Sequence, residues 1–164
     1  MEDKKEILSI FENTNYTYQR KETQSIILDV ECGTTITFNE TLDEPLIIDK
    51  PSDVYLDALT TFRCKTTDSE GEMGFLLRID DFPIKTVSNN SSANRALFIP
   101  NEQTTDGNPS KGKTHKGKKL NYICSINPQK ITKLSGKLTL INGSTTPFSG
   151  DDGRFILDLS IIPR

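Results

Sequence analysis

Residues 73–102 read MGFLLRIDDFPIKTVSNNSSANRALFIPNE. An apolar run, Gly74-Phe75-Leu76-Leu77-Arg78-Ile79, gives way to Asp80-Asp81-Phe82-Pro83 and then to a tract of Asn and Ser. A second apolar run, Ala96-Leu97-Phe98-Ile99, stops at Pro100. Both runs are short and bounded by breakers, which marks strands rather than helices. The stretch from Ser88 to Asn94 has no apolar face to bury and is expected on the surface. Two core strands joined by a long polar loop are what a β-sandwich with Greek-key connections requires.

On the N-terminal side, Met1 to Phe11 is charged and then apolar, and reads as one or two helical turns or a mobile arm. Strands are expected at Tyr16–Arg20, Ser25–Val30, Thr34–Phe38 and Leu46–Ile48, with a break at Cys32-Gly33 and a turn at Asp43-Glu44-Pro45. Ser52 to Cys64 favours strand because Val, Tyr, Thr and Phe dominate it. In a regular strand Val54, Leu56, Ala58 and Thr60 share one face, and Tyr55, Asp57, Leu59 and Thr61 the other. Thr66 to Glu72 reads as a solvated loop that lacks the length and terminal Glu of a calcium loop.

On the C-terminal side, Asn101 to Lys119 is the least hydrophobic part of the chain and reads as a long mobile loop. Leu120–Ile126 and Lys130–Leu140 follow as strands around an Asn127-Pro128-Gln129 turn. In the second of these, Ile131, Lys133 and Ser135 alternate with Thr132, Leu134 and Gly136. Gly136 in mid-strand points to a bulge or a close backbone approach. Asn142-Gly143 is a hairpin-turn signal. Arg154–Ile162 is an apolar closing strand that must be buried. About eight strands with loops of unequal length predict an all-β, eight-stranded antiparallel β-sandwich of the jelly-roll type. The domain reading is an N-terminal arm over 1–15 and a single jelly roll over 16–164.

The 164 residues fit one domain, and the 34% apolar fraction suits a sandwich with polar outer faces. The formal charge of −3 argues against a nucleic-acid binder acting through its whole surface. Cys32, Cys64 and Cys124 have no CxxC spacing, so they are expected as buried free thiols and not as metal ligands. No segment has the length of a signal peptide or of a membrane span, so a reducing compartment is expected.

Enzyme templates fail. There is no GxSxG elbow and no phosphate-cradling GxxxxGK[ST]. A Ser-His-Asp set needs His115, the lone histidine, which lies in the long polar loop. The carboxylate pairs Asp80-Asp81 and Asp151-Asp152 suit turns. One histidine cannot build a metal site of several strand-borne imidazoles. No cofactor or metal is expected. The remaining candidate is a basic contact loop of Lys111, Lys113, His115, Lys116, Lys118 and Lys119. It reads either as a phosphate or nucleic-acid patch or as a solvated loop. No aromatic residue interleaves with these lysines to stack on bases.

Five segments read together carry a resemblance: SDVYLDALTTF, GFLLRIDDFPIKTVSNN, ALFIPNE, LNYICSINPQKITKLSGKLT and GRFILDLSIIPR. Their order, from Ser52 onward, resembles small single jelly-roll capsid proteins of large eukaryotic DNA viruses and their virophages. In that pattern a strand ending in an [LR]-I-D-[DE]-F step leads to an Asn-rich loop. F-I-P-N-E, N-P-x-K-[IL]-[ST]-K-[IL]-S-G and a closing R-F-[IL] strand follow. The resemblance implies a virion structural protein, a penton or other minor capsid component. It implies a homopentamer at the icosahedral vertices that contacts the major capsid protein, made in the host cytoplasm or nucleus. The alternative from the residues alone is a cytosolic β-sandwich that binds a sugar or a peptide.

Overall fold

The computed structural model describes residues 23–32, 36–62, 65–66, 74–100, 113–116, 120–144, 148–149 and 153–164. The strands are β1 (Gln24–Cys32), β2 (Thr37–Ile48), β3 (Ser52–Phe62), β4 (Lys65–Thr66) and β5 (Gly74–Ile79). They continue with β6 (Leu97–Pro100), β7 (Lys113–Lys116), β8 (Asn121–Ile126), β9 (Gln129–Thr139), β10 (Phe148–Ser149) and β11 (Gly153–Pro163). A 3₁₀ turn, Ser91–Ala93, interrupts the β5–β6 connection.

One sheet runs β1-β11-β3, and β8 and β7 share the far edge of β3 end to end. The other runs β2-β9-β5-β6, and all pairings are antiparallel. Leaving aside the short β4, β7 and β10 and counting the rest in chain order, the sheets read 1-8-3-6 and 2-7-4-5. Every connection among these eight strands crosses between sheets except β5 to β6. The chain is therefore an eight-stranded antiparallel β-sandwich, a jelly roll. The long polar loop after Ile79 joins two neighbours in one sheet.

Burial follows from the side-chain period of two. Ile26, Leu28 and Val30 of β1 point inward beside Phe155, Leu157, Leu159 and Ile161 of β11. From the other sheet come Phe75, Leu77 and Ile79 of β5 and Leu134 and Leu138 of β9. Phe38 of β2 meets Phe155 edge-on across the sandwich, with ring centroids 5.8 Å apart. Each such buried side chain contributes about 1.5–3 kcal/mol by leaving water. Four of them on β11 explain why this strand sits in the middle of its sheet. Its end is fastened too: the Arg164 N–H donates to the Pro51 carbonyl at 3.0 Å.

Several expectations are corrected. β2 runs straight through Asp43-Glu44-Pro45, because it is an edge strand and the pairing to β9 skips from Thr41–Lys133 to Leu46–Ile131. An edge bulge tolerates a proline that has no N–H to give. The same irregularity resets β9, so Ile131 and Leu134 are both buried. In β3 the pairing to β11 steps from Leu56–Leu159 to Ala58–Asp158, which leaves Asp57 as the extra residue. Leu56 and Leu59 therefore both face the core, where strict alternation puts them on opposite faces. β1 runs past Val30 to end at Cys32, and Gly33 lies outside the described residues. Asn142-Gly143 does form a turn, with Gly143 at φ +87°, but the chain leaves it for β10, which pairs β4. Within the expected loop of 101–119, Lys113–Lys116 is a strand on β3. It pairs with the part of that edge that β8 leaves open, and backbone pairing there needs no apolar side chains. The 1–15 arm, the Tyr16–Arg20 strand, residues 67–72 of the expected loop after Cys64, Cys64 itself and Asp151-Asp152 lie outside the described residues.

Candidate functional site

β5 ends in a turn anchored to β9. The Asp80 N–H donates to the Ser135 carbonyl at 2.8 Å. Asp81 Oδ2 accepts the Ser135 N–H at 2.6 Å and its hydroxyl at 2.9 Å. Asp80 Oδ1 receives Arg78 Nε at 2.7 Å. The carboxylate pair thus serves the turn. Beyond it the chain stays extended without joining a sheet. Phe82 and Ile84 are buried in the core, while Pro83 and Lys85 are exposed. The Ile84 N–H closes a three-residue turn on the Phe82 carbonyl at 2.8 Å, pivoting on Pro83.

This segment lies beside the edge where β6 and β8 face each other. A depression of about 600 Å³ is lined there by Ile84, Lys85 and Thr86, by Leu97 of β6, and by Tyr122 to Ser125 of β8. A second depression, lined by Arg78, Asp80, Asp81, Lys85 and Arg95 among others, adjoins it across Pro83–Lys85. The floor of the first is apolar, since Ile84, Ile123 and Cys124 are buried. A bulge opposite Val54 and Tyr55 brings consecutive residues Ile123 and Cys124 inward together.

The polar wall is a chain of hydrogen bonds. Ser125 Oγ donates to Asp53 Oδ1 at 2.7 Å, so the Tyr122 hydroxyl, 2.8 Å away, donates to Ser125. Arg164 Nε neutralises the same Asp53 oxygen at 2.8 Å. The Tyr122 ring leans edge-on against Tyr55, with centroids 5.8 Å apart. Cys124 is a free thiol whose pKa is pushed up to about 11, first by burial and then by the charge of Asp53. It stays protonated near neutrality and is not an activated nucleophile. Two cations at this site, Lys85 and Arg95, have no carboxylate partner among the described residues. Arg95 adopts φ +57° and its N–H holds the Thr86 carbonyl at 3.1 Å. A non-glycine residue in this left-handed region is uncommon.

Among the described residues no group of three or more His, Cys, Asp or Glu side chains is placed to hold a metal ion, and no helix is long and apolar enough to cross a membrane. Of the basic residues singled out in the sequence, Lys113, His115 and Lys116 lie on β7. Lys111, Lys118 and Lys119 lie outside the described residues. The Phe82–Thr86 site was not singled out in the sequence. Its one signal was the alternation of Phe82 and Ile84 with Pro83 and Lys85, too short beside a proline to read as a strand. No family model matches the chain, and no curated protein matches it.

Proposed function

We propose that this protein is a structural component of a viral shell, a single jelly-roll penton or minor capsid protein that assembles with copies of itself. The observation that carries the reading is the strand order 1-8-3-6 over 2-7-4-5 combined with where the resembling segments fall. The R-I-D-D-F step is the end of β5 and its anchored turn, and the F-I-P step is β6. The N-P-x-K-I-T-K-L-S-G step is the β8–β9 turn and β9, and R-F-I opens β11. The shared steps thus coincide with the structural joints of the sandwich. Fold alone does not specify function, so the motif order bears the weight.

A second observation is compatible with assembly. On the outer face of the first sheet, Ile27, Ile156 and Phe62 are exposed on β1, β11 and β3 and lie on one diagonal of the register. Apolar side chains grouped on a sheet face are what self-association covers. A penton would assemble through a heterologous cyclic interface.

Light scattering coupled to size exclusion, over a range of protein and salt concentrations, tests the reading. A pentamer is the expected mass. A strict monomer at every concentration, with no association with a major capsid protein, overturns it in favour of the ligand-binding sandwich. The depression beside Phe82–Thr86 is what would favour that second reading.

A further inference from the structure

We propose that the slot between β8 and the Phe82–Thr86 segment is a docking site for an extended peptide of a partner protein, one that alternates apolar and acidic residues. The inference does not depend on self-assembly and applies equally to a monomer.

The backbone comes first. β8 pairs with β3 on one side, and no strand among the described residues occupies its other side. A free strand edge is a template for another chain. Across the slot, Lys85 forms no backbone hydrogen bond with the described residues, and Thr86 forms one through its carbonyl alone. Tyr122 to Ser125 line the slot over four residues. That length accepts about four residues of extended chain at roughly 3.3 Å each. A guest strand there adds a fifth full-length member to the β1-β11-β3-β8 sheet.

The side chains set the pattern. The floor of Ile84, Leu97, Ile123 and Cys124 suits apolar side chains at every second guest position. The guest positions between point outward, past Lys85, which lines the slot, with Arg95 in the adjoining depression. Arg78 is paired with Asp80 and Asp53 with Arg164, and the Asp81 carboxylate, held by Ser135, still leaves Lys85 and Arg95 with a positive excess. The remaining cations therefore select carboxylates. The uncommon backbone of Arg95 keeps one of them beside Thr86, and backbone conformations of this kind concentrate at ligand clamps.

The test uses the full chain and two fluorescein-labelled hexapeptides, Glu-Val-Glu-Val-Glu-Val and Lys-Val-Lys-Val-Lys-Val, read by anisotropy at low ionic strength. The acidic peptide is expected to bind about tenfold more tightly than the basic one. The double variant Lys85→Glu/Arg95→Glu is expected to reverse that order. Its two side chains are exposed, so its thermal midpoint should match the parent. Hydrogen exchange with the acidic peptide bound should slow at amides within Tyr122–Ser125 and Lys85–Thr86. Equal affinity for the two peptides, no binding of either at millimolar concentration, an unchanged order in the double variant, or protection confined to another edge overturns the proposal.

Discussion

The side-chain amide of Asn90 donates to the carbonyl of Ile141 at 2.7 Å, across 51 residues of sequence. The same side chain accepts the Ser92 N–H at 3.0 Å and so caps the 3₁₀ turn. One residue thus straps the long β5–β6 loop to the turn that follows β9. Leu76 and Thr139, opposite each other on β5 and β9, alternate away from the core residues Phe75, Leu77 and Leu138, yet both are buried. The strap ends on Ile141, two residues beyond Thr139.

Asn90→Ala removes the cap and the strap together. The expected loss is about 1–3 kcal/mol, summing a helix-type cap and one part-buried hydrogen bond. Asn90→Ser restores the cap alone and should recover part of it. Urea unfolding of the three proteins checks this, and equal midpoints for alanine and asparagine would show that the strap carries no stability.

Gly136 lies in β9 between the two flanking strands of its own sheet, β2 and β5. An added Cβ would sit on the Arg78 carbonyl oxygen and on the Phe38 ring. Phe38 is itself wedged against Phe155, so the ring has little room to withdraw. Gly136→Ala is expected to cost at least about 1–3 kcal/mol, the usual range for overpacking. A thermal midpoint within a degree of the parent would mean that β9 shifts freely, contrary to its place between β2 and β5.

What the sequence revealed and what it hid divide along one physical line. β5, β8 and β11 were legible because a run of apolar residues between breakers needs only local reading. Gly136 was legible because a glycine in mid-strand weakens the strand unless a bulge or a close neighbour requires it. The bulge at Asp57 and the skipped pairing over Leu42–Pro45 were not, because register belongs to two strands and one of them is far away in sequence. β7 was hidden for a related reason: it forms on demand from the β3 edge and its own residues, Lys-Thr-His-Lys, carry no pattern. The Phe82–Thr86 site emerged only from packing, since neither β8 nor Leu97 is near it in sequence.

Arg95 holds φ +57°, a region that costs an L-residue roughly 1–2 kcal/mol and that asparagine tolerates better. Arg95→Asn should therefore raise stability, by about 0.5–1 kcal/mol, while keeping the N–H bond to Thr86. The same change removes a cation from the site and should weaken the acidic hexapeptide. Stability and binding moving in opposite directions is the expected signature. Denaturation and anisotropy on one preparation read both, and a fall in stability would show that the Arg95 side chain makes contacts worth more than the backbone strain.

Cys124 gives the protein an alkaline weakness. Its thiol titrates near 11 when folded, against an ordinary value of 9.0, because burial and then Asp53 disfavour the thiolate. Between those values the unfolded chain has lost the proton and the folded one keeps it, so folding stability falls as pH rises. The contribution is full below about pH 9, shrinks through the window and is gone above about pH 11. At about 1.36 kcal/mol per unit the loss is on the order of 2–3 kcal/mol. Tyrosines and lysines titrate in the same range, so the comparison is between the parent and Cys124→Ala. Their stability difference should be constant from about pH 7 to 8.5 and narrow by about pH 11. The thiol should also resist alkylation at neutral pH until denaturant is added. A difference that stays flat throughout, or prompt labelling of the folded protein at Cys124, would show that the thiol reaches solvent from the slot beside Tyr122.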